Sequence, residues 1–411
     1  MKTLFLSSWN PYPPDVGGRA RALSLLNAIA DGAGGEVELV TFAESAEEAA
    51  RAREHLEGRG IGCTIVAHPI EGASLLARAS RRHLAVLRGI PYNAQICRHP
   101  LVERAVREKL RHGGHDLIVA ETSWMGQYVE PSARGRKVLS WQNVDFDGFR
   151  KRARAERNPL RRLVHLYNHR MARRFELRLL ERFDALLTVS EADRRLLLDT
   201  APVKTAVHVL PLSVDTDACR FRLPREDGGQ GLLFVGAMFY QPNIDAVTYF
   251  HAHVYGRVRR SFPEAHLTVV GKRPAPALLR LARRDASVRV TGTVGDVGPH
   301  YREAAVLVAP IRYGGGMKTK VLEAMAFGVP VVGSSSALEG IDARDGQHVF
   351  VRDSAEGFAE AVVLLLSDPA RRRAMALEAR RLVEEQHSQP ALTGRLRGLL
   401  GAMGVARSPA S

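Results

Sequence analysis

The sequence predicts an α/β protein of two domains, each built on a parallel sheet with helices on both faces. Three observations lead there. Short, near-continuous apolar runs alternate with helical segments along the chain, the pattern of strands buried on both sides. That alternation is interrupted once, around Pro211–Gly229, by a stretch rich in Pro, Asp, Gly and Arg that has no clear period. And 411 residues exceed what one hydrophobic core usually serves. The expected division is 1–210, a linker over 211–229, a second domain over 230–388, and a C-terminal segment over 389–411. That last segment is expected to cross back to the first domain and end in a disordered tail, Ser408–Ser411.

In chain order, the strands expected in the first domain are Thr3–Ser7, Val37–Phe42, Cys63–Ala67, Leu117–Ala120, Lys137–Trp141, Ala185–Val189 and Val207–Leu210. Helical patterns lie between them, beginning with Arg19–Ala30. The second domain reads as strands Leu232–Val235, Leu267–Val270, Val288–Thr291, Val306–Ala309, Val329–Val332 and His348–Val351. Its helices are about Ile244–Ser261, Ala275–Arg284, Val297–Ala304, Met317–Phe327, Ala355–Leu366 and Pro369–Glu385. Ser354 and Asp368 stand where N-caps belong, as does Ser190 in the first domain, and Asn243 is read as a cap as well. Two such series make two Rossmann-like domains. Open parallel sheets bind ligands at their strands' carboxyl ends, and here those ends are expected to face each other across a cleft.

Composition is that of ordinary soluble globular material, with 45% hydrophobic and 25% charged residues. No apolar run approaches the length of a membrane span. Met1–Ser8 is too short for a signal peptide and reads as a first strand. Cys63, Cys97 and Cys219 lie far apart without metal-ligand spacing, which suits a reducing cytoplasm. The net charge of +15 is the outlier. It concentrates in Arg150–Arg182, where leucines and other apolar residues recur at helical spacing among twelve lysines and arginines, and again in Leu75–Arg88. A helix with an apolar stripe and an arginine face is either docked on the protein or laid on an anionic membrane, and the second patch favours the membrane. Neither patch interleaves aromatics as a nucleic-acid platform does, so nucleic acid is not an expected partner. The expected location is the cytoplasm, peripheral on the inner face of the membrane.

The most informative stretch is Pro310-Ile-Arg-Tyr-Gly-Gly-Gly-Met-Lys-Thr-Lys-Val-Leu-Glu323-Ala-Met-Ala-Phe-Gly-Val-Pro330. It reads as a strand end, a glycine turn through Gly314, Gly315 and Gly316, and a short helix from Met317 stopped by Gly328. Lys318 and Lys320 fall in the first turn, where the helix dipole disfavours a cation. An anion bound by free backbone N–H groups and both ammonium groups makes sense of that placement. Glu323 is then positioned to accept hydrogen bonds from hydroxyls on whatever carries the phosphate, and a phosphate beside a polyol is a nucleotide sugar. The plainer reading is a glycine loop with two solvated lysines and a Glu323–Lys320 surface pair.

Other candidates stand at strand ends. Gly17-Gly18, before Arg19 and Arg21, can hold a phosphate at a helix start, without the spacing of a dinucleotide fingerprint. Glu121, Asn143 and Asp145 are candidates for an acceptor pocket or a general base, or caps of the turns that follow. In the second domain, Gly236 ends the first strand and Lys272 the second. The backbone of Thr293 and Val294 is placed to read an unpaired base.

Taken in order, Gly17-Gly18, Ser190-Glu191-Ala192, Pro211–Asp215, Gly236, Gly292-Thr-Val and Pro310–Val332 resemble glycosyltransferase family 4. The Gly314–Lys320 and Tyr240–Ala246 segments look like its branch for bacterial exopolysaccharide and cell-envelope sugars. The resemblance implies a retaining GT-B enzyme using a UDP-, GDP- or ADP-sugar without bound metal or other cofactor. It further implies a front-face displacement in which the leaving diphosphate takes the acceptor proton. Many members carry a Glu-x7-Glu pair; Glu323 matches the second, on the ribose, while Gly315 stands at the first. The family's Gly-Arg…Lys phosphate pair is missing after Gly236, so that role passes to Lys318 and Lys320, with Gly316 and Met317 beside them and Arg312 and Lys272 in reserve. Glu121 stands about where members place a sugar-binding histidine, and Arg19 joins the acceptor side. The expected partners are a nucleotide-sugar donor and a glycan or lipid-linked acceptor. Two alternatives are a UDP-sugar epimerase of the same fold, needing no acceptor, and a non-catalytic membrane-associated protein that binds nucleotide sugars.

Overall fold

The computed structural model describes residues 1–405 apart from 34, 69–73, 157, 226–228 and 315. Expectations for Gly315 and the Ser408–Ser411 tail therefore lie outside the described residues. The chain folds as two compact units: Met1–Pro211 with the chain from Leu392, and Leu212–Ala391.

The first unit holds strands β1 (Thr3–Ser7), β2 (Val37–Ala43), β3 (Ile61–Ala67), β4 (Leu117–Glu121), β5 (Arg136–Trp141), β6 (Ala185–Thr188) and β7 (Ala206–Val209). They form one sheet in the order β3-β2-β1-β4-β5-β6-β7, every pair parallel. Successive residues serve opposite faces, and both faces are buried. Leu4 and Leu6 point into a core with Phe42, Ile118 and Leu139, while Phe5 points into a second core with Leu39 and Val119. The second core is covered by helix Gly17–Ala33, through Leu25, Leu26 and Ile29, and by one face of the last helix, Gln389–Ala402. That face is Leu392, Leu396 and Leu400, spaced four apart as an amphipathic helix requires.

The second unit holds β8 (Gly231–Val235), β9 (His266–Val270), β10 (Val288–Gly292), β11 (Val306–Ala309), β12 (Val331–Gly333) and β13 (Phe350–Val351). Their order is β10-β9-β8-β11-β12-β13, again all parallel. In each sheet the order reverses between two neighbours, β1 and β4 in one and β8 and β11 in the other. Ligands of such sheets bind at that reversal, beyond the strands' carboxyl ends.

Most strands begin or end within two residues of where the sequence puts them. Val329 leaves its expected strand because its N–H closes the preceding helix on Ala324 O. Within the segment expected as a linker, Leu212–Cys219 is tied to the second unit. His387 bonds Leu212 O at 2.8 Å, Val214 N–H donates to His387 O, and the Arg380 guanidinium donates to Thr216 O and Cys219 O. The basic stretch Arg150–Arg182 is two helices, Asp145–Ala155 and Pro159–Leu179, the second capped by Asn158. Its apolar stripe is only half docked. Met171, Phe175 and Leu179 are buried, whereas Leu160, Leu163, Val164 and Tyr167 are 74, 65, 56 and 45% exposed.

Candidate functional site

In the second unit the β8–β11 reversal gathers the residues singled out above. Helix Thr319–Phe327 follows β11. It begins two residues later than expected, because Lys318 is extended (φ −100°, ψ 97°) and Met317 is buried in the preceding turn. Lys318 therefore stands at the N-cap, where no side chain caps the helix, and Lys320 is its second residue. The Lys318 ammonium turns back onto Gly316 O. The free N–H groups of an uncapped helix start, with two ammonium groups beside them, make a local concentration of positive potential.

Lys320 does not splay outward. Its half-buried ammonium lies 4.2 Å over the Phe234 ring and donates to Asn243 Oδ1 at 2.8 Å. Desolvation, and next the charge of Lys318, bring its pKa down to about 7. Gly236, at the end of β8, lies directly beneath. A Cβ there would stand 2.7 Å from Asn243 Nδ2 and 2.8 Å from Lys320 Nζ, so only glycine lets these groups close over the backbone. Asn243 is thus not the cap expected of it. It sits inside helix Gln241–Tyr249, which follows Tyr240, and bonds Ala237 O and Lys320 with its side chain.

Glu323 is half-buried one turn on from Lys320, so the two are not the solvated surface pair of the plainer reading. Its Oε2 accepts from the buried Tyr301 hydroxyl at 2.7 Å, and Tyr301 stacks on Phe327 at 4.9 Å. Desolvation pushes the Glu323 carboxyl up, opposed by Tyr301 and Lys320. Arg312, held in reserve for phosphate, is engaged elsewhere: its guanidinium grips Asp245 in a two-pronged pair and lies 4.8 Å over Tyr249. Lys272 is half-buried at the end of β9, Thr293 is exposed and Val294 half-buried after β10.

The β1–β4 reversal of the first unit looks different. Gly17 opens helix Gly17–Ala33, and Gly18 O accepts from Gln142 Nε2, which also donates to Glu121 Oε1 at 2.8 Å. Glu121 is fully buried; burial raises its carboxyl, opposed by the Arg21 guanidinium. Thr122 next to it has φ 81°, a strained conformation for a β-branched residue. Arg19 and Arg21 turn out to be internal. Arg19 is ringed by Asp15, Glu44 and Glu48, and Arg21 donates to Leu210 O and Pro211 O. Their cations at a helix start are answered by the protein itself, which removes Arg19 from the acceptor side. Asn143 is exposed and Asp145 is the first residue of its helix, so neither is an N-cap. Asp145 Oδ2 accepts from Trp124 Nε1 at 2.6 Å, and burial lifts its pKa to about 6. Among the described residues no group of three or more His, Cys, Asp or Glu is disposed to hold a metal ion.

Two family models match the chain. Glycosyltransferase Family 4 covers residues 17–218, and Glycosyl transferases group 1 covers residues 229–368. The chain is a glycosyltransferase, with a Glycosyltransferase Family 4 domain followed by a Glycosyl transferases group 1 domain. No curated protein matches it at a significant level. Among solved structures, sucrose-phosphate synthase from Thermosynechococcus elongatus is similar over 99% of this chain and 100% of its own, with a TM-score of 0.73 at 15% identity. HepE of Anabaena, solved with UDP-glucose, gives 0.64 over 98% and 100% at 15% identity. WaaG, a glycosyltransferase of lipopolysaccharide biosynthesis, gives 0.64 over 97% and 99% at 17% identity. At such identities the likeness establishes the fold, which is GT-B.

Two contacts in this glycosyltransferase's cluster have no signal in the sequence. Asn243 meets Lys320 from 77 positions away, and Tyr301 reaches Glu323 from 22. In the sequence Glu176 stands as one acid among many arginines. It is fully buried and accepts from Trp141 Nε1, Ser123 Oγ and the N–H groups of Asp145 and Phe146, anchoring the start of helix Asp145–Ala155. A lone acid in a basic amphipathic stretch, on its apolar side, was the signal available.

Proposed function

We propose that this glycosyltransferase moves a sugar from a UDP- or GDP-sugar to a hydroxyl acceptor with retention of configuration. The acceptor is a lipid-linked or polysaccharide intermediate. The observation that carries the reading is Lys320, brought over Gly236 at the β8–β11 reversal next to an uncapped helix start. HepE with UDP-glucose and WaaG in lipopolysaccharide synthesis support the donor and acceptor classes.

In the reaction the bond from the sugar's anomeric carbon to the diphosphate oxygen breaks, and a bond to the acceptor hydroxyl oxygen forms on the same face. The hydroxyl proton passes to the departing diphosphate. Lys318, Lys320 and the N–H groups from Gly316 and Met317 into the helix meet the charge that develops there. Glu323, oriented by Tyr301, receives the ribose hydroxyls on its other oxygen. Lys272 lines the phosphate side, and Thr293 and Val294 present backbone groups to the base. Asn143 and Asp145 belong to the acceptor side, with the fully buried Glu121 behind them holding Gln142. Because ammonium groups and peptide dipoles answer the diphosphate, no metal or cofactor is required in this scheme.

A panel of UDP-, GDP-, ADP- and dTDP-hexoses, assayed with a lipid-linked acceptor and with anomer identification by NMR, tests it. Transfer is expected from a UDP- or GDP-sugar, with the donor's anomeric configuration and undiminished by EDTA. An inverted product, or product formed without acceptor as an epimerase would give, contradicts it.

The half-docked helix Pro159–Leu179 and helix Leu75–Arg88, with Leu76 83% and Leu87 79% exposed among arginines, are proposed to rest on an anionic membrane. No helix of the described residues is long and apolar enough to cross one. Leu163→Ser with Tyr167→Ser is expected to cut co-sedimentation with phosphatidylglycerol vesicles severalfold while leaving urea stability unchanged. Equal sedimentation of the variant and the parent chain removes the proposal.

A further inference from the structure

The first unit carries a cleft of about 630 Å3 that the transfer reaction does not use. Three of its arginines stand just ahead of three neighbouring strands. Arg111 is the penultimate residue of helix Pro100–His112, which leads into β4; Arg134 precedes β5, and Arg182 precedes β6. Since β4, β5 and β6 lie side by side, these residues mark the amino edge of the sheet, the end opposite the β1–β4 reversal. Arg98, Arg107 and Arg178 continue the rim, while Tyr128, Phe175 and Leu179 form a buried apolar floor.

The charge around this cleft is not balanced. Among the described residues that line it, Glu103 and Glu130 are the only acids, and Glu103 is taken by Arg107 at 2.9 Å. Among the described residues the other five guanidinium groups have no carboxylate within salt-bridge distance. In the second unit the similarly exposed Arg312 has Asp245 as its partner. Five like charges without a paired carboxylate around one concavity repel one another and raise the local potential for an anion. Guanidinium forks match the paired oxygens of a phosphate.

We propose that this cleft is a second anion site, which binds a phosphate or diphosphate group carried next to an apolar portion. It rests on a different face of a different unit from the donor site proposed above. A soluble phosphorylated compound and a lipid phosphate share the required chemistry. Bound at the amino edge, such a ligand acts on placement or affinity and takes no part in bond exchange.

Calorimetric titration of the full chain saturated with UDP tests the site. Inorganic pyrophosphate serves as the soluble probe and dihexanoyl phosphatidate as the lipid phosphate. At least one probe is expected to bind the parent chain, and Arg111→Ala, Arg134→Ala and Arg182→Ala together weaken it about tenfold or more. These residues are rim groups, and an unchanged thermal melt shows that the variant folds. Lys318→Ala with Lys320→Ala is expected to retain this binding, so loss of the donor site and loss of this one are read separately. Tighter binding of phosphatidate assigns the lipid source, and tighter binding of pyrophosphate the soluble one. Failure of both probes to bind, or equal binding by the triple variant, overturns the proposal.

Discussion

Lys320 bears a large electrostatic cost at the proposed donor site. Its ammonium has a folded pKa of about 7 against an ordinary 10.5, with desolvation as the leading cause. Below pH 7 both the folded and unfolded chains are protonated, and the fold carries the full cost of the confined charge. Between 7 and 10.5 only the unfolded chain holds the proton, so this residue's contribution to stability rises with pH across that window. A diphosphate against the ammonium reverses the shift by favouring the charged form. Glu323 is its neighbour in the cluster, and its carboxylate is aimed by Tyr301. Glu323→Gln is expected to weaken donor binding about tenfold, the loss of one charge-assisted hydrogen bond. A donor dissociation constant that does not move removes the ribose role. At this scale the lysines were legible, because cations at a helix start contradict the dipole. Arg19 and Arg21 gave the same signal for another reason, and only the tertiary contacts with Glu44, Glu48 and the Leu210–Pro211 carbonyls tell the two cases apart.

Helix Thr319–Phe327 shows which parts of an element are written locally. Its stop was legible: Gly328 takes a left-handed conformation (φ 84°) and closes the helix on Ala324 and Met325. A Cβ there would also meet Arg222 O at 2.3 Å. Gly328→Ala is therefore expected to destabilise the protein by about 1–3 kcal/mol in urea unfolding, from backbone strain plus the clash. A loss under about 0.5 kcal/mol contradicts that account of the stop. The helix start was less legible, since nothing local announces that Met317 turns inward to be buried before the helix begins. The long basic helix Pro159–Leu179 makes the same point. Its apolar period runs its whole length, yet only the C-terminal half finds a core to cover.

Across the whole molecule, both sheets could be read because parallel strands buried on two faces are apolar throughout and alternate with helices. The strand order could not be, since it depends on which crossovers reverse, and it is the reversal that brings Gly236 beneath Lys320. The Pro211–Gly229 stretch has the composition of a linker, although the carbonyls of Thr216 and Cys219 accept from Arg380. Irregular sequence there reflects side chains borrowed from distant helices, which leave no local period.

The proposed transfer depends on Lys320 meeting the diphosphate. It is tested most directly by titrating UDP, or the nucleoside diphosphate that the donor panel selects, into the parent chain and Lys320→Met by calorimetry at pH 8 in two buffers of different ionisation enthalpy. The parent chain is expected to bind with uptake of a proton, and the variant to bind at least about tenfold more weakly with that uptake gone. Equal affinities, with heats of binding that do not depend on the buffer in either protein, would contradict it.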